Sequence, residues 1–542
     1  MKLKLDVHGE KGFEAKFPYS PQNVADIKRC LGFQWDKKGK KWYSEGPEVL
    51  LDLERNKMEF EASPAAKARA DELYQQLTDV WWAKDPTKAE LDDEKYAFQC
   101  SGTQVLVLQK YGILADEMGL GKSKQALDAC AEMHCKDILI LAPKSLLWNW
   151  QEEVRKWYPD WVIDVLPDKK EERGHFWQFR FPCAVVANYE KLLLQDWPEF
   201  NWDALILDEI TRAKNTRTQT HKQLRRLVSS AKNVFALTGT PLEMRIEELY
   251  GITSLVRPSV FGNYSRFRDQ HLVTDFFGNV VGSKGHQLLK ERIGPWMTRR
   301  TKAEVASQLP PKVYNTHWIE LSAGERQGYE EIRRDYVRWL QENERDLREA
   351  NALTQLLRLQ QFTSSPELID SGSVGSKFCE LEEIIGEWPG RVVVFTRFAD
   401  MARRLSLWLN LPAGAIIHGG VPADDRLPRI DSFNNGNLGN VLVSTDAGAY
   451  GLNITGADLV IHYDMLWNPA KLWQREDRLH RIGQERTVNV LKLITKDTVD
   501  EGMLRVLEKR EELFHDIVDG AEEAALLRLS PRQLRLVAEG KL

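Results

Sequence analysis

The stretch Asp116-Glu117-Met118-Gly119-Leu120-Gly121-Lys122-Ser123 constrains this chain more than any other, because of what flanks it. Apolar Tyr111 to Ala115 precede it and helical periodicity opens at Ser123, so two glycines and a lysine sit between a strand and a helix. Such a turn aims backbone N–H groups and the positive end of a helix dipole at one point, which suits a polyphosphate. It also demands a strand-helix unit, and such units assemble into parallel sheets. Lys122 is then placed to reach the β- and γ-phosphates, and the Ser123 hydroxyl to ligate Mg²⁺. Asp116 stands where the strict phosphate-loop pattern has glycine.

From about residue 96 short β-branched runs alternate with helical periodicity, the pattern of a parallel α/β sheet. Strands are expected at Ile138 to Leu141, Ala184 to Ala187, Ala204 to Leu207 and Val234 to Leu237. A long helical stretch (Ser322 to Gln361) and a Ser/Gly-rich linker (Ser371 to Ser376) come next. A second series then follows at Val392 to Phe395, Ala415 to Ile417, Val441 to Ser444 and Leu459 to His462. The expected fold class is α/β, two parallel-sheet lobes with helical insertions, plus a small α+β amino-terminal module. At roughly 150 residues per domain, 542 residues allow three or four domains.

Composition excludes some alternatives. With 42% hydrophobic and 29% charged residues the chain is not wholly disordered, and a net charge of -5 excludes a histone-like basic binder. Any nucleic-acid contact must come from a local groove. Six scattered cysteines do not make a disulfide framework, and no apolar run reaches the ~18 residues of a membrane span. A cytoplasmic or nucleoid-associated protein with reduced thiols is expected. Cys130, His134 and Cys135 read as one helix with too few ligands for structural zinc.

A phosphate loop needs an acidic partner, and the apolar Ala204 to Leu207 ends in Asp208-Glu209. Asp208 would hold Mg²⁺ through water, and Glu209 would orient or deprotonate an attacking water. A third piece is Gln474-Arg475-Glu476-Asp477-Arg478-Leu479-His480-Arg481-Ile482-Gly483-Gln484. Arg478 and Arg481 are three apart on an expected helix and so share a face, a spacing that suits arginine fingers acting on transition-state charge. Alone, strand-end carboxylates often only cap helices, and arginine-rich helices are often solvated faces. Together with the loop they point to nucleotide hydrolysis.

These motifs, with Leu237-Thr238-Gly239-Thr240-Pro241, resemble the Swi/Snf-type ATPases of helicase superfamily two. Lesser matches fall in order: Phe98-Gln99, Leu141 to Leu146, Asn188-Tyr189-Glu190, Arg299-Arg300-Thr301-Lys302, Val394 to Phe398 and Ser444 to Asn453. The resemblance spans about 96 to 515. It implies an ATP-driven translocase on double-stranded DNA whose two RecA-like lobes hydrolyse Mg·ATP between them. Gln99 would read the adenine, with Asp116, Met118, Gly119, Gly121, Lys122, Ser123 and Gly451 around the nucleotide. Lys122, Asp208, Glu209, Gln474, Arg478 and Arg481 would be catalytic, and Ser123 and Asp208 would hold the metal. DNA contacts would map onto Lys144, Ser145, Asn188, Thr238, Phe395, Arg397, Ser444 and Thr445. The family usually has Ala-His after the acidic pair where this chain has Ile210-Thr211, which bears on how DNA is coupled to hydrolysis.

Residues 1–45 hold ten Lys/Arg and six Asp/Glu, a local +4 in an acidic chain. Phe17-Pro18-Tyr19-Ser20-Pro21, the following amphipathic stretch and a Trp35 to Trp42 hairpin are similar to the HARP-type module that precedes the motor in annealing helicases. Lys37, Lys38, Lys40 and Lys41 would then touch phosphate. Deleting 1–58 is expected to cost fork binding and to leave duplex-stimulated ATPase. The layout is 1–58 amino-terminal module, 59–95 helical connector, 96–310 first lobe, 311–376 helical protrusion and linker, 377–515 second lobe and 516–542 tail. The expected function is a monomeric DNA translocase that anneals or remodels forked DNA, as in DNA repair. A motor displacing a DNA-bound protein such as RNA polymerase, or a nucleotide-switched clamp with little turnover, remains an alternative.

Overall fold

A computed structural model describes residues 3–9, 12–30, 32–44, 46, 49–88, 96–178, 184–194, 201–239, 246–275, 280–305, 310–342, 349–369, 374–446, 453–481, 483–519 and 531–541. The chain divides into two compact units, the first mainly the residues up to Thr301 and the second mainly those from Lys302 on, with Met118–Leu120 of the glycine-rich loop grouped with the second. Among the described residues no helix is long and apolar enough to cross a membrane.

The first unit opens with strands β1 (Leu3–His8), β2 (Gly12–Lys16), β3 (Gln34–Asp36), β4 (Lys41–Ser44) and β5 (Phe60–Ala62), in the sheet order β3-β4-β2-β1-β5. The expected hairpin is β3–β4, with Trp35 opposite Trp42 across the antiparallel pair. Helix Pro21–Ile27 starts where Pro21 fixes the first turn and the Ser20 hydroxyl accepts the Asn23 N–H. Ser63 caps helix Pro64–Ala83 in the same way. The amino-terminal fold runs past residue 58, because β5 pairs in parallel with β1. Nor is it an independent appendage. Leu3, Phe13, Ile27, Phe33 and Leu53 share one apolar core with the first lobe. A buried ion pair, Arg292 to Asp52 at 2.5 Å, crosses that seam, and Arg266 donates to the Cys30 and Phe33 carbonyls at 3.1 and 2.8 Å.

The first lobe is a sheet of β6 (Tyr111–Leu114), β7 (Ile138–Ala142), β8 (Ile163–Val165), β9 (Ala184–Asn188), β10 (Ala204–Leu207), β11 (Asn233–Leu237) and, beyond the small antiparallel hairpin β12 (Leu272–Thr274) and β13 (Val280–Ser283), β14 (Met297–Thr298). Its order is β14-β6-β11-β10-β7-β9-β8, with every pair parallel. Alternate residues feed two cores: Leu139, Leu141, Leu205 and Leu207 enter one, and Ile138, Ile140, Ala204 and Ile206 the other. A parallel sheet buried on both faces therefore reads as continuous apolar runs.

The second unit is built on β15 (Lys312–Ile319), β16 (Val392–Thr396), β17 (Ile416–Ile417), β18 (Val441–Thr445), β19 (Leu459–His462) and β20 (Val488–Thr495). They form a second all-parallel sheet in the order β15-β20-β19-β16-β18-β17. Residues 311–376 are thus more than a protrusion and linker, since β15 pairs with β20 over eight positions. The expected long helical stretch is found as helices Ala323–Glu342 and Glu349–Ser364. Residues 516–542 are not simply a tail. Helix Pro531–Ala538 buries Leu534, Val537 and Ala538 beside Tyr329 and Leu359, and the Tyr329 hydroxyl donates to the Ala538 carbonyl at 2.9 Å.

Candidate nucleotide site

In an open α/β sheet ligands bind at the carboxyl ends of the strands, near a switch in strand order. That edge of the first sheet carries the glycine-rich loop after β6 and Asp208-Glu209 after β10, with β11 between them. The loop feeds helix Lys122–Glu132, capped by Gly121 at φ +74°. Gly119 has φ +84°, and glycine alone takes both conformations without strain. A methyl on Gly121 would come within 2.5 Å of Gln99 Nε2, so the loop and the expected adenine-reading glutamine are closely fitted. Gln99 is itself fixed, its Oε1 accepting the Tyr96 N–H at 3.3 Å. The Lys122 ammonium donates to the loop's own Asp116 and Glu117 carbonyls at 2.7 and 3.2 Å. Ser123 lies in the first turn of the helix, and Met118 is buried.

Asp116 departs from expectation. Its side chain is fully buried beneath the loop, and Arg300 grips both carboxylate oxygens at 3.0 and 2.6 Å. Arg300 also donates to Gln125 Oε1 at 2.8 Å and to the Phe98 carbonyl, tying helix Ala97–Gln109 to the loop. The Asp116 side chain is turned into this buried arginine fork. That arginine fork accounts for a carboxylate where the strict pattern has glycine.

Asp208 is held from several sides: Trp150 Nε1 donates to its Oδ2 at 2.8 Å, the Glu209 N–H to its Oδ1 at 3.0 Å, and the Tyr189 hydroxyl to its carbonyl at 2.8 Å. Glu209 sits at φ +48°, ψ +53°, a left-handed conformation that costs a non-glycine residue about 1–2 kcal/mol. Strain of this kind collects where a side chain must be aimed. Thr211 lies just beyond, in the turn Ile210–Ala213.

In the second unit the arginine segment differs from expectation. Helix Pro469–Glu476 carries Gln474 and then stops, so Arg478 and Arg481 lie in turns and do not share a helical face. A buried charge cluster sits where the helix stops. Lys302 Nζ meets Asp477 Oδ1 at 2.7 Å and the His480 carbonyl at 2.6 Å. Lys312 meets Glu476 at 3.1 Å and Asp477 at 3.3 Å, and the Tyr314 hydroxyl donates to Glu476 at 2.7 Å. Burial pulls the Asp477 carboxyl up, but the two ammonium groups outweigh it and bring it to about 2. Burial likewise opposes Glu476, whose pKa nonetheless falls through His462 and Lys312. Arg478 is buried, and Arg481 donates to the Asp477 carbonyl at 2.7 Å and to Asn453 Oδ1. Gly451 lies outside the described residues.

The expected DNA contacts divide. Lys144 is exposed after β7, with Ser145 next to it in the turn Lys144–Leu146. Asn188 ends β9 and Thr445 ends β18, each with a buried side-chain oxygen that has no hydrogen-bond partner among the described residues. Thr238 is buried after β11. Arg397 is half-buried and donates to Gln360 at 2.9 Å. Phe395 and Ser444 are both 0% exposed; Phe395 packs in the sheet core beneath the Arg475 guanidinium, so a DNA contact through either side chain is corrected to a packing role. In the β3–β4 turn Lys37, Lys38 and Lys40 are exposed, whereas Lys41 is paired with Glu14 at 2.7 Å. Cys130 and His134 do not share a helix, which ends at Glu132, and Cys135 instead turns back so that its N–H meets the Cys130 carbonyl at 2.9 Å.

Sequence reasoning missed Trp150, Lys312 and the roles of Tyr189, Arg300 and Lys302.

Residues 43–368 match the SNF2-related domain, and 376–483 match the helicase conserved C-terminal domain. The chain belongs to the SNF2-related family of helicase-like ATPases. It is 31% identical over 436 residues to the SWI/SNF-related matrix-associated actin-dependent regulator of chromatin subfamily A member 1 of Mus musculus, a match covering 74% of this chain and 40% of that protein. An uncharacterized ATP-dependent helicase of Mycoplasma pneumoniae is 31% identical over 420 residues, with the same two coverages. The chain thus spans about 40% of the length of these relatives. A solved Sulfolobus solfataricus SWI2/SNF2 ATPase core in complex with dsDNA is 28% identical, covers 82% of this chain and 96% of its own, and has a TM-score of 0.38.

Proposed function

We propose that the chain is an ATP-driven motor that moves along double-stranded DNA. The observation that carries this reading is the single carboxyl edge where the Gly119-Leu120-Gly121-Lys122-Ser123 loop and the strained Asp208-Glu209 pair both emerge. Lys122 would leave its loop carbonyls for phosphate oxygens, and Glu209 would orient the attacking water. The Ser123 hydroxyl and Asp208 carboxylate are hard oxygen donors that fit Mg²⁺, which when bound neutralises charge on the phosphates. Arg478 and Arg481 would supply transition-state charge from the second lobe. Family membership and the exposed Lys144 support DNA as the track.

The finer reading is a forked or branched substrate engaged by the amino-terminal hairpin. Its support is the exposed Lys37, Lys38 and Lys40 beside Trp35, which is 46% exposed. Deleting 1–58 is a poor test, because it would strip the shared core and leave Arg292 buried without Asp52. Replacing Lys37, Lys38 and Lys40 by Glu is the cleaner variant; it should weaken fork binding and lower its salt dependence, while duplex-stimulated hydrolysis persists.

The testing experiment is steady-state ATP hydrolysis without DNA, with single strands, with duplex and with a fork. Stimulation by duplex or fork that vanishes in Lys122→Ala and Glu209→Gln supports the motor. Nucleotide and DNA binding with negligible turnover would favour a switched clamp instead.

A further inference from the structure

Helix Lys122–Glu132 ends in a turn closed by two backbone bonds. The His134 N–H meets the Ala131 carbonyl at 3.0 Å and the Cys135 N–H meets the Cys130 carbonyl at 2.9 Å, with His134 at φ +53°. A helix end of this type brings together the side chains of the two residues joined by the outer bond, often as an apolar pair. Here both are cysteines, and their thiols are hydrogen-bonded to one another. Cys130 is 0% exposed in a core of the first lobe, whereas Cys135 packs against that core and stays partly open to solvent. Asn233 Nδ2 lies 3.9 Å from the Cys135 sulfur; the Lys232 ammonium favours its thiolate and the Asp203 carboxylate opposes it. The bond from the Cys130 thiol draws the Cys135 thiol below its ordinary value despite its burial, while burial pushes the Cys130 thiol up. The pair is thus divided into an accessible nucleophile and a shielded thiol beside it.

We infer that Cys130 and Cys135 form a dithiol–disulfide site that hydrogen peroxide oxidises. The Cys135 thiolate attacks one peroxide oxygen; the O–O bond breaks, hydroxide leaves, and Cys135 becomes a sulfenic acid. The Cys130 sulfur then attacks the Cys135 sulfur. An S–S bond forms, the S–O bond breaks, and the departing hydroxide takes the Cys130 proton as water. The first hydroxide takes up the proton that Cys135 had released, so two thiols and one peroxide give one disulfide and two waters. Two electrons pass from the sulfurs to the peroxide. A disulfide tolerates little misplacement of its partners, and the helix-end turn already holds these two sulfurs in contact. The site uses none of the nucleotide or DNA residues, and the inference does not rest on the motor reading.

The test is peroxide treatment of the full chain, followed by unfolding, alkylation with iodoacetamide and tryptic digestion. Cleavage after Lys124 and Lys136 puts both cysteines in one peptide, 125–136, whose alkylation reads the site directly. The exposed Cys379 monitors the dose, peroxide being raised until its free thiol is lost. At that dose the peptide should lose both labels together and be lighter than the dithiol form by two hydrogens, and dithiothreitol should restore both labels. Oxygen added at Met133 is scored separately. In Cys130→Ala the same treatment should leave a Cys135 sulfenic acid that dimedone captures, a species the wild type should not accumulate. Should that variant fail to fold, the wild-type peptide decides alone. Two alkylated cysteines in 125–136 at that dose, or a sulfinic acid at Cys135 with Cys130 still alkylated, would overturn the inference. So would equal formation of the pair in urea, where the helix-end turn is lost.

Discussion

Asp116 and Asp477 each owe their surroundings to a cation distant in sequence, Arg300 and Lys302 respectively. Asp116 lies in the phosphate loop yet serves Arg300. Asp116→Ala should therefore destabilise the first unit by about 3–5 kcal/mol, the usual result of leaving a buried cation unpaired. Urea denaturation checks this; unchanged stability with weakened nucleotide binding alone would return Asp116 to the phosphate. Asp477 makes a prediction in pH. Burial raises its carboxyl, but Lys302 and Lys312 prevail and lower it from 3.8 to about 2. A carboxyl depressed on folding stabilises the fold above its unfolded pKa and loses that contribution as pH falls through the folded value. Acidification from about pH 4 to about pH 2 should thus remove ~2 kcal/mol from the second unit. Asp477→Asn should flatten that limb of stability against pH, read from denaturant midpoints. At this scale the sequence announced Lys122, Asp208 and Glu209, whose local motifs are self-sufficient. It hid Arg300 and Lys302, whose partners lie 184 and 175 positions away.

Among elements, those buried on both faces were the legible ones. β7, β9, β10 and β11 are uninterrupted apolar runs because both faces meet core. β15 escaped notice because it is the sheet's edge: Lys-Val-Tyr-Asn-Thr-His-Trp-Ile leaves Val313, Tyr314 and Trp318 substantially exposed, so no apolar run marks it. Helix Pro469–Glu476 was drawn too long because the sequence beyond it has helical composition, and only the pull of Lys302 and Lys312 on Asp477 reveals the break. The amino-terminal hairpin was legible from its two tryptophans and lysine-glycine turn, but its docking was not, since Asp52 and Arg292 are distant in sequence. Arg292→Ala should cost about 3–5 kcal/mol of first-unit stability. The Lys37, Lys38 and Lys40 to Glu variant, altering exposed side chains, should stay within ~0.5 kcal/mol of wild type. Thermal unfolding of the two variants side by side separates docking from surface charge.

At the level of the whole molecule, two all-parallel sheets in one chain, matched in order by the SNF2-related and helicase C-terminal domains, define the machine. The strand that leads into the phosphate loop and the strand that ends in the acidic pair belong to the first sheet, and the arginine turn belongs to the second unit. The most direct measurement is displacement of a third strand from a DNA triplex with a long duplex lead, in ATP, with Glu209→Gln as control. The account predicts that the wild type strips the third strand while leaving the duplex paired, and that the variant does not. Vigorous duplex-stimulated ATP hydrolysis without displacement would contradict it.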